Sequence, residues 1–154
     1  MDKVVSPFRA ADIQEIALSE TAKRHFSSIA PMSVIAQEYE LRGPAWTLRV
    51  DGNIVGCGGV MLLWSGVGEA WVMPNALAAE YPLACFRTIC QGLQHAITAH
   101  NLRRVQSVVH ESVPAEQRWV VRLGFEFEGV MRGYGPGGET YLRYALLVGG
   151  VIHG

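Results

Sequence analysis

Polar and apolar positions change period along this chain, and the changes mark out its elements. VVSPF, near the start, reads as a short first strand. In AADIQEIALSETAKRHF, apolar residues at Ile13, Ile16 and Ala17 have helical spacing. Asp12 is the expected N-cap there, with Glu15 three residues on completing a capping-box pattern. A second, shorter helix is expected from Val34 to Leu41, stopped by RGP. Trp46, Leu48 and Val50 then alternate with Thr47, Arg49 and Asp51, the signature of a half-buried strand. Asp51-Gly52 is a hairpin turn signal. The return strand, Ile54 to Trp64, is apolar on both faces and belongs in the middle of a sheet. Its glycines Gly56, Gly58 and Gly59 call for a bulge or close packing. SGVG turns the chain again, and EAWVM is the third strand of this meander.

From Pro82 the period becomes helical: Leu83, Phe86, Ile89, Cys90, Leu93 and Ile97 form one buried stripe. Pro82 suits the first turn, and the helix is expected to end at His100-Asn101. LRRVQSVVH is a strand, and PAEQRWVVRL a short helix closed by Gly124 as its C′ residue. FEFEGVMR is a strand, GYGPGGE a glycine-rich loop, and TYLRYALLV a last strand. A meander followed by a strand–helix–strand crossover predicts an α/β domain, residues 1–154, with a mixed, mostly antiparallel sheet and helices on both faces.

Composition narrows the function. The chain has 154 residues, 49% hydrophobic and 18% charged, enough to bury one core. Its net charge of −1 lacks the basic footprint of a nucleic-acid binder. The N-terminus has no apolar signal segment, and Ile54–Trp64 is too short to span a bilayer. No membrane association and a cytoplasmic location are therefore expected. Cys57, Cys85 and Cys90 are odd in number and lie within expected strand or helix, so they read as buried reduced thiols. His95 and His100 are five apart and off one helix face, and no metal is expected.

Three segments carry a family resemblance: WTLRVDGNIVGCGGV, EAWVMP and VVRLGFEFEG. Together with the order of elements from Phe8 to Val148, they resemble the GNAT superfamily of acyl-CoA-dependent N-acyltransferases. The resemblance implies that two parallel strands splay apart, one ending near Met73 and the other near His110. The pantetheine arm of acetyl-CoA would lie between them against backbone groups of Val72 and Met73. The pyrophosphate would rest at the start of the long helix, among Ala78, Ala79, Tyr81, Leu83 and Ala84, with helix-start amides at Leu83, Ala84 and Cys85. It implies Glu69 as the base that takes a proton from the acceptor ammonium, a backbone N–H at Val72 or Met73 as oxyanion donor, and a small-molecule or protein amine as acceptor. His110 would stand at the lip of the gap, and Tyr134 in a loop over the acceptor.

The chain departs from the family pattern at two places. The pyrophosphate turn, usually glycine-rich, reads NALAAEYPLA here, and Pro82 removes one N–H. Losing one or two hydrogen bonds to a charged group weakens coenzyme binding by roughly one to four decades. The tyrosine that often protonates the departing thiolate falls at Val120, and the Asn that often opens the short helix falls at Val113. In this the layout resembles a branch of phage-encoded GNAT-like proteins, some of them virion components. A non-catalytic virion or assembly role and an acyl-CoA-binding module are the alternatives. The apolar tail LLVGGVIHG hints at a strand edge or a homo-oligomer contact.

Overall fold

In the computed structural model the described residues are 1–18, 23 and 30–149. Seven strands form one sheet: β1 (Lys3–Pro7), β2 (Ala45–Val50), β3 (Asn53–Trp64), β4 (Val67–Pro74), β5 (Arg104–His110), β6 (Glu126–Met131) and β7 (Tyr141–Leu147). Three α-helices are described: α1 (Met32–Leu41), α2 (Pro82–His100) and α3 (Pro114–Arg122). The strand order is β1-β2-β3-β4-β5-β7-β6. Every neighbouring pair is antiparallel except β4 and β5, which run parallel.

The expected turns form for the expected reasons. Asp51 and Gly52 both have positive φ, 50° and 85°, which the tight β2–β3 hairpin requires. Leu48 pairs with Gly56 and Arg49 with Ile54, so Val55 is the extra residue of a β-bulge. Gly59 is needed for close approach: a Cβ there would lie 2.5 Å from the Pro44 carbonyl oxygen and 2.6–2.7 Å from Ala45.

The helices cover both faces of the sheet. On one face α1 sends Ile35 and Ala36 into a cluster with Phe8, Ile54, Cys57, Trp71 and Met73. On the other, α2 supplies Leu93 and Ala96, and α3 supplies Val120, to a cluster with Val60, Val105, Val109 and Tyr144. A third cluster, Leu48, Val50, Val55 and Ala84, anchors the first turns of α2 and is joined by Ala78, Tyr81 and Cys85.

The first helical segment differs from expectation. Ala10–Glu15 is a 3₁₀ helix, and the chain is extended at Ile16. Asp12 is not its N-cap. It sits at the third helical position, where its carboxylate accepts from the Arg9 N–H at 3.0 Å and the Thr47 hydroxyl at 2.7 Å and pairs with Arg49 at 3.3 Å. The hydroxyl and guanidinium on β2 hold the acid that a regular capping box would have placed three residues from its Glu partner. Of the rest of that expected helix, 19–22 and 24–26 lie outside the described residues, as do 27–29 and the tail 150–154.

Candidate functional site

The parallel pair that defines the site is short. β4 and β5 are registered only through Val67↔Arg104, Gly68↔Val105 and Glu69↔Gln106. Beyond that, β4 runs on to Pro74 and β5 to His110 with no ladder between them. At the vertex, the Ser107 hydroxyl donates to the Ala70 carbonyl at 3.3 Å. That contact fixes which backbone groups face the gap. Ala70 points its carbonyl toward β5, and backbone groups alternate sides along a strand. Val72 therefore presents its N–H and C=O to the gap. Met73 points the other way, toward β3, as does Asn75, whose N–H donates to the Val55 carbonyl at 2.9 Å. The Met73 side chain is fully buried, and that of Val72 is half exposed.

Asn75 organises the joint between β4 and α2. Its side chain accepts from the Ala76 N–H at 2.8 Å and the Ala17 N–H at 3.1 Å, and donates to the Ile54 carbonyl at 2.8 Å. A 3₁₀ helix, Ala76–Glu80, follows. Ala78 and Tyr81 pack down against the Leu48–Val50–Val55 cluster, away from the β4–β5 gap, while Ala79 is exposed. Pro82 opens α2. The Cys85 N–H is not available as expected, because it donates to the Tyr81 carbonyl at 3.0 Å. Among the described residues, Leu83 and Ala84 keep bare amides, with Leu83 exposed and Ala84 buried.

Glu69 lies on the last paired step of β4, on the face of the sheet that carries α1. Its Oε1 accepts from Gln106 Nε2 and from Arg143 Nη1, both at 3.0 Å. Gln106 in turn accepts from Arg104 Nε at 3.0 Å, and Arg104 holds Glu128 through two nitrogens at 2.8 and 2.6 Å. The amide of Gln106 is thereby fixed in orientation, with oxygen to Arg104 and nitrogen to Glu69. No described residue reaches Oε2 of Glu69. The network leaves one carboxylate oxygen directed by two anchors and open to another partner.

Three tyrosines stand round this face. Tyr39 from α1 stacks on Trp71, with ring centroids 4.1 Å apart. Burial, with the nearby charges of Glu69 and Tyr134, pushes its pKa up to about 12. Tyr141 meets Tyr134 at 5.4 Å and His110 at 5.0 Å, both edge-on. Burial and then the charges of Glu139, Glu116 and Tyr134 hold Tyr141 at about 12 as well. His110 Nδ1 accepts from the Ser112 N–H at 3.1 Å, so the neutral ring carries its proton on Nε2. Tyr144 packs in the core. Val120, at the expected tyrosine position, is packed against the same core.

Gln106, Arg143 and Tyr39 were not singled out from the sequence. The readable signal was a polar residue inside an otherwise apolar strand, Gln106 in RVQSVVH and Arg143 in YLRYALL. Cys57 accompanies Thr47 at 3.4 Å in the core, and burial first of all raises its pKa to about 11. Among the described residues no His, Cys, Asp and Glu groups cluster as a metal site.

The arrangement of sheet and helices has counterparts among solved structures. A GNAT-family acetyltransferase from Bacillus anthracis superposes with a TM-score of 0.73 at 12% identity, over 96% of this chain and 95% of that one. This is the GNAT fold. A spermidine N-acetyltransferase chimera from Vibrio cholerae and hSSAT superposes at 0.74 with 11% identity over the full length of both chains. A GCN5-related N-acetyltransferase from Brucella melitensis does so at 0.68 with 17% identity, over 94% of this chain and 75% of that one. No protein-family profile and no curated protein matches the sequence. The likeness lies in the fold; the GNAT architecture persists where sequence identity has fallen below a fifth.

Proposed function

We propose that this protein transfers an acetyl group from acetyl-CoA to a primary amine by direct attack. The observation that carries the reading is the split between β4 and β5, which ends their pairing at Glu69↔Gln106 and turns the backbone of Val72 into the opening. A pantetheine arm carries amides that pair with such a strand edge. Solved GNAT-fold neighbours include spermidine N-acetyltransferases, which supports an amine acceptor.

In this reading the acceptor approaches from the face bearing Glu69, Tyr39, Tyr134 and Tyr141. Glu69, steadied by Gln106 and Arg143, takes the proton of the acceptor ammonium, directly or through one water. The neutral amine then attacks the thioester carbonyl. The Val72 N–H donates to the developing oxyanion; Met73, facing β3, does not. Collapse breaks the C–S bond; the attacking nitrogen gives up its remaining extra proton to solvent, and the thiolate takes a proton from solvent, since Val120 offers none. Leu83 and Ala84 amides meet the pyrophosphate, with Ala78, Ala79 and Tyr81 shaping the joint. No metal takes part.

Two bare amides and a valine in place of the acid favour a second reading, an acyl-CoA-binding module without turnover. Calorimetric titration with acetyl-CoA, followed by thiol release over a panel of amines, tests both. Binding with thiol release supports the transferase. Binding without release across the panel leaves the module, and no heat at millimolar coenzyme removes both.

A further inference from the structure

The sheet face that carries Glu69 also carries a cation. Arg143 stands inside the otherwise apolar strand β7, YLRYALL. Its Nη1 donates to Glu69 Oε1 at 3.0 Å. Glu69 belongs to β4, Arg143 to β7, and β5 runs between those two strands. The Arg143 side chain therefore reaches across β5 to make this contact. Its partner on β5 is Val108, two residues beyond Gln106, where the β4–β5 ladder has already ended. The cation thus enters at the start of the split, from the side of β7. A pair this short still faces a space, since the two side chains remain 20% and 30% exposed. Among the described residues, Arg143 Nε and Nη2 meet no acceptor, and Glu69 Oε2 meets no donor. Unused donors and an unused acceptor stand together on one ion pair.

Aromatic rings border that pair. Tyr39, stacked on Trp71, feels the charges of both Glu69 and Tyr134, and Tyr134 meets Tyr141 edge-on at 5.4 Å. Carboxylates on adjoining elements are engaged, Asp12 with Arg49 and Glu128 with Arg104. A polyamine needs an anion for each further ammonium group, and beside Glu69 it would meet Arg143 instead. We infer that the acceptor is an α-amino acid with an apolar or aromatic side chain, whose ammonium goes to Glu69 Oε2 and whose carboxylate goes to Nε and Nη2 of Arg143. This rests on the transferase reading above. One carbon separates the two charged groups of an α-amino acid, so both fall within reach of a single ion pair. A guanidinium holds a carboxylate through paired donors. The carboxylate stays on Arg143 while the nitrogen is acylated. Acetyl-CoA and the amino acid give the N-acetylamino acid, the free thiol of CoA and one proton. The product has lost the ammonium that Glu69 held, which favours its release.

Steady-state thiol release from acetyl-CoA tests this on the full chain. The acceptors are the standard L-amino acids, the amide and the decarboxylated amine of the best of them, and spermidine. The expected kcat/KM for the amino acid exceeds that for its amide and its decarboxylated amine by roughly ten- to a hundredfold. In Arg143→Gln that ratio falls toward unity, and Arg143→Lys keeps part of it. Loosening of Glu69 in these variants lowers turnover of acid and amide alike, so the ratio reads the carboxylate contact alone. Circular dichroism checks folding, and the wild-type ratio decides the matter even where a variant does not fold. Equal kcat/KM for acid and amide, a ratio unchanged in Arg143→Gln, or spermidine preferred over every amino acid overturns the amino-acid assignment and leaves the transferase reading standing. No thiol release with any of these amines overturns both.

Discussion

At the scale of single residues, the site depends on where a carboxylate is held. Glu69 has two donors on Oε1, and in the proposed reaction Oε2, which no described residue reaches, is the atom that meets the acceptor. Replacing Glu69 by Gln keeps the shape and removes the proton acceptor. Turnover then falls by about 10²-fold while the dissociation constant for acetyl-CoA is unaltered, measured by steady-state kinetics beside calorimetry. Equal turnover would strip Glu69 of its role. Asp12 is the second carboxylate fixed by neighbours. Burial alone would raise its pKa, but hydrogen bonds from Thr47 and the Arg9 amide, with the Arg49 charge, bring it below 3.8. A depressed folded-state value stabilises the fold above the unfolded value and ceases to do so as pH falls through the folded one. Asp12→Asn therefore costs about 1–3 kcal/mol near neutral pH. In urea melts that difference shrinks once the pH drops below 3.8. A constant difference down to the acid limit would contradict it.

At the scale of elements, most of the fold was legible, and the exceptions have physical causes. The helix over Pro82–His100 forms with the limits its apolar stripe and proline announce. The hairpin at Asp51-Gly52, the short helix before Gly124 and the strand order of the meander follow in the same way. Ala10–Glu15 begins one turn earlier than expected: Asp12 is the third helical residue, bonded back to the Arg9 N–H of the N-cap and also to Thr47 and Arg49 on β2, contacts that a local pattern does not announce. The choice between Val72 and Met73 was not legible at all. Period two says that neighbouring residues face opposite edges, but only the partner strand says which edge is open, and the Ser107–Ala70 contact supplies that answer. The Cys85 amide was misjudged for a similar reason: whether Tyr81 caps the helix depends on its backbone, not its identity. Close packing in the meander gives a test at this scale. Gly59→Ala sets a methyl against the Pro44 carbonyl at 2.5 Å, with backbone on both sides and no side chain able to yield. The variant is expected to lose about 1–3 kcal/mol in denaturant melts; stability within a few tenths of wild type would show that β2 and β3 shift freely.

At the scale of the molecule, the GNAT fold divides the work between two faces. One face buries an apolar cluster under α1 and, beside it, carries Glu69, Gln106 and Arg143, joined in a chain of hydrogen bonds that runs out to Glu128 on the edge strand β6. The other, with α2 and α3, is apolar within. Among the described residues, the sheet opens between these faces at the split between β4 and β5, so a ligand lodged there would touch both. The account rests on that opening receiving the coenzyme along β4. Amide resonances of the full chain, recorded while acetyl-CoA is added, read it directly. The expected result is a saturable shift and slowed hydrogen exchange at Val72, with Leu83 and Ala84 following and the Met73 amide unmoved. Saturable binding that leaves Val72 unperturbed, or no perturbation at millimolar acetyl-CoA, would contradict it.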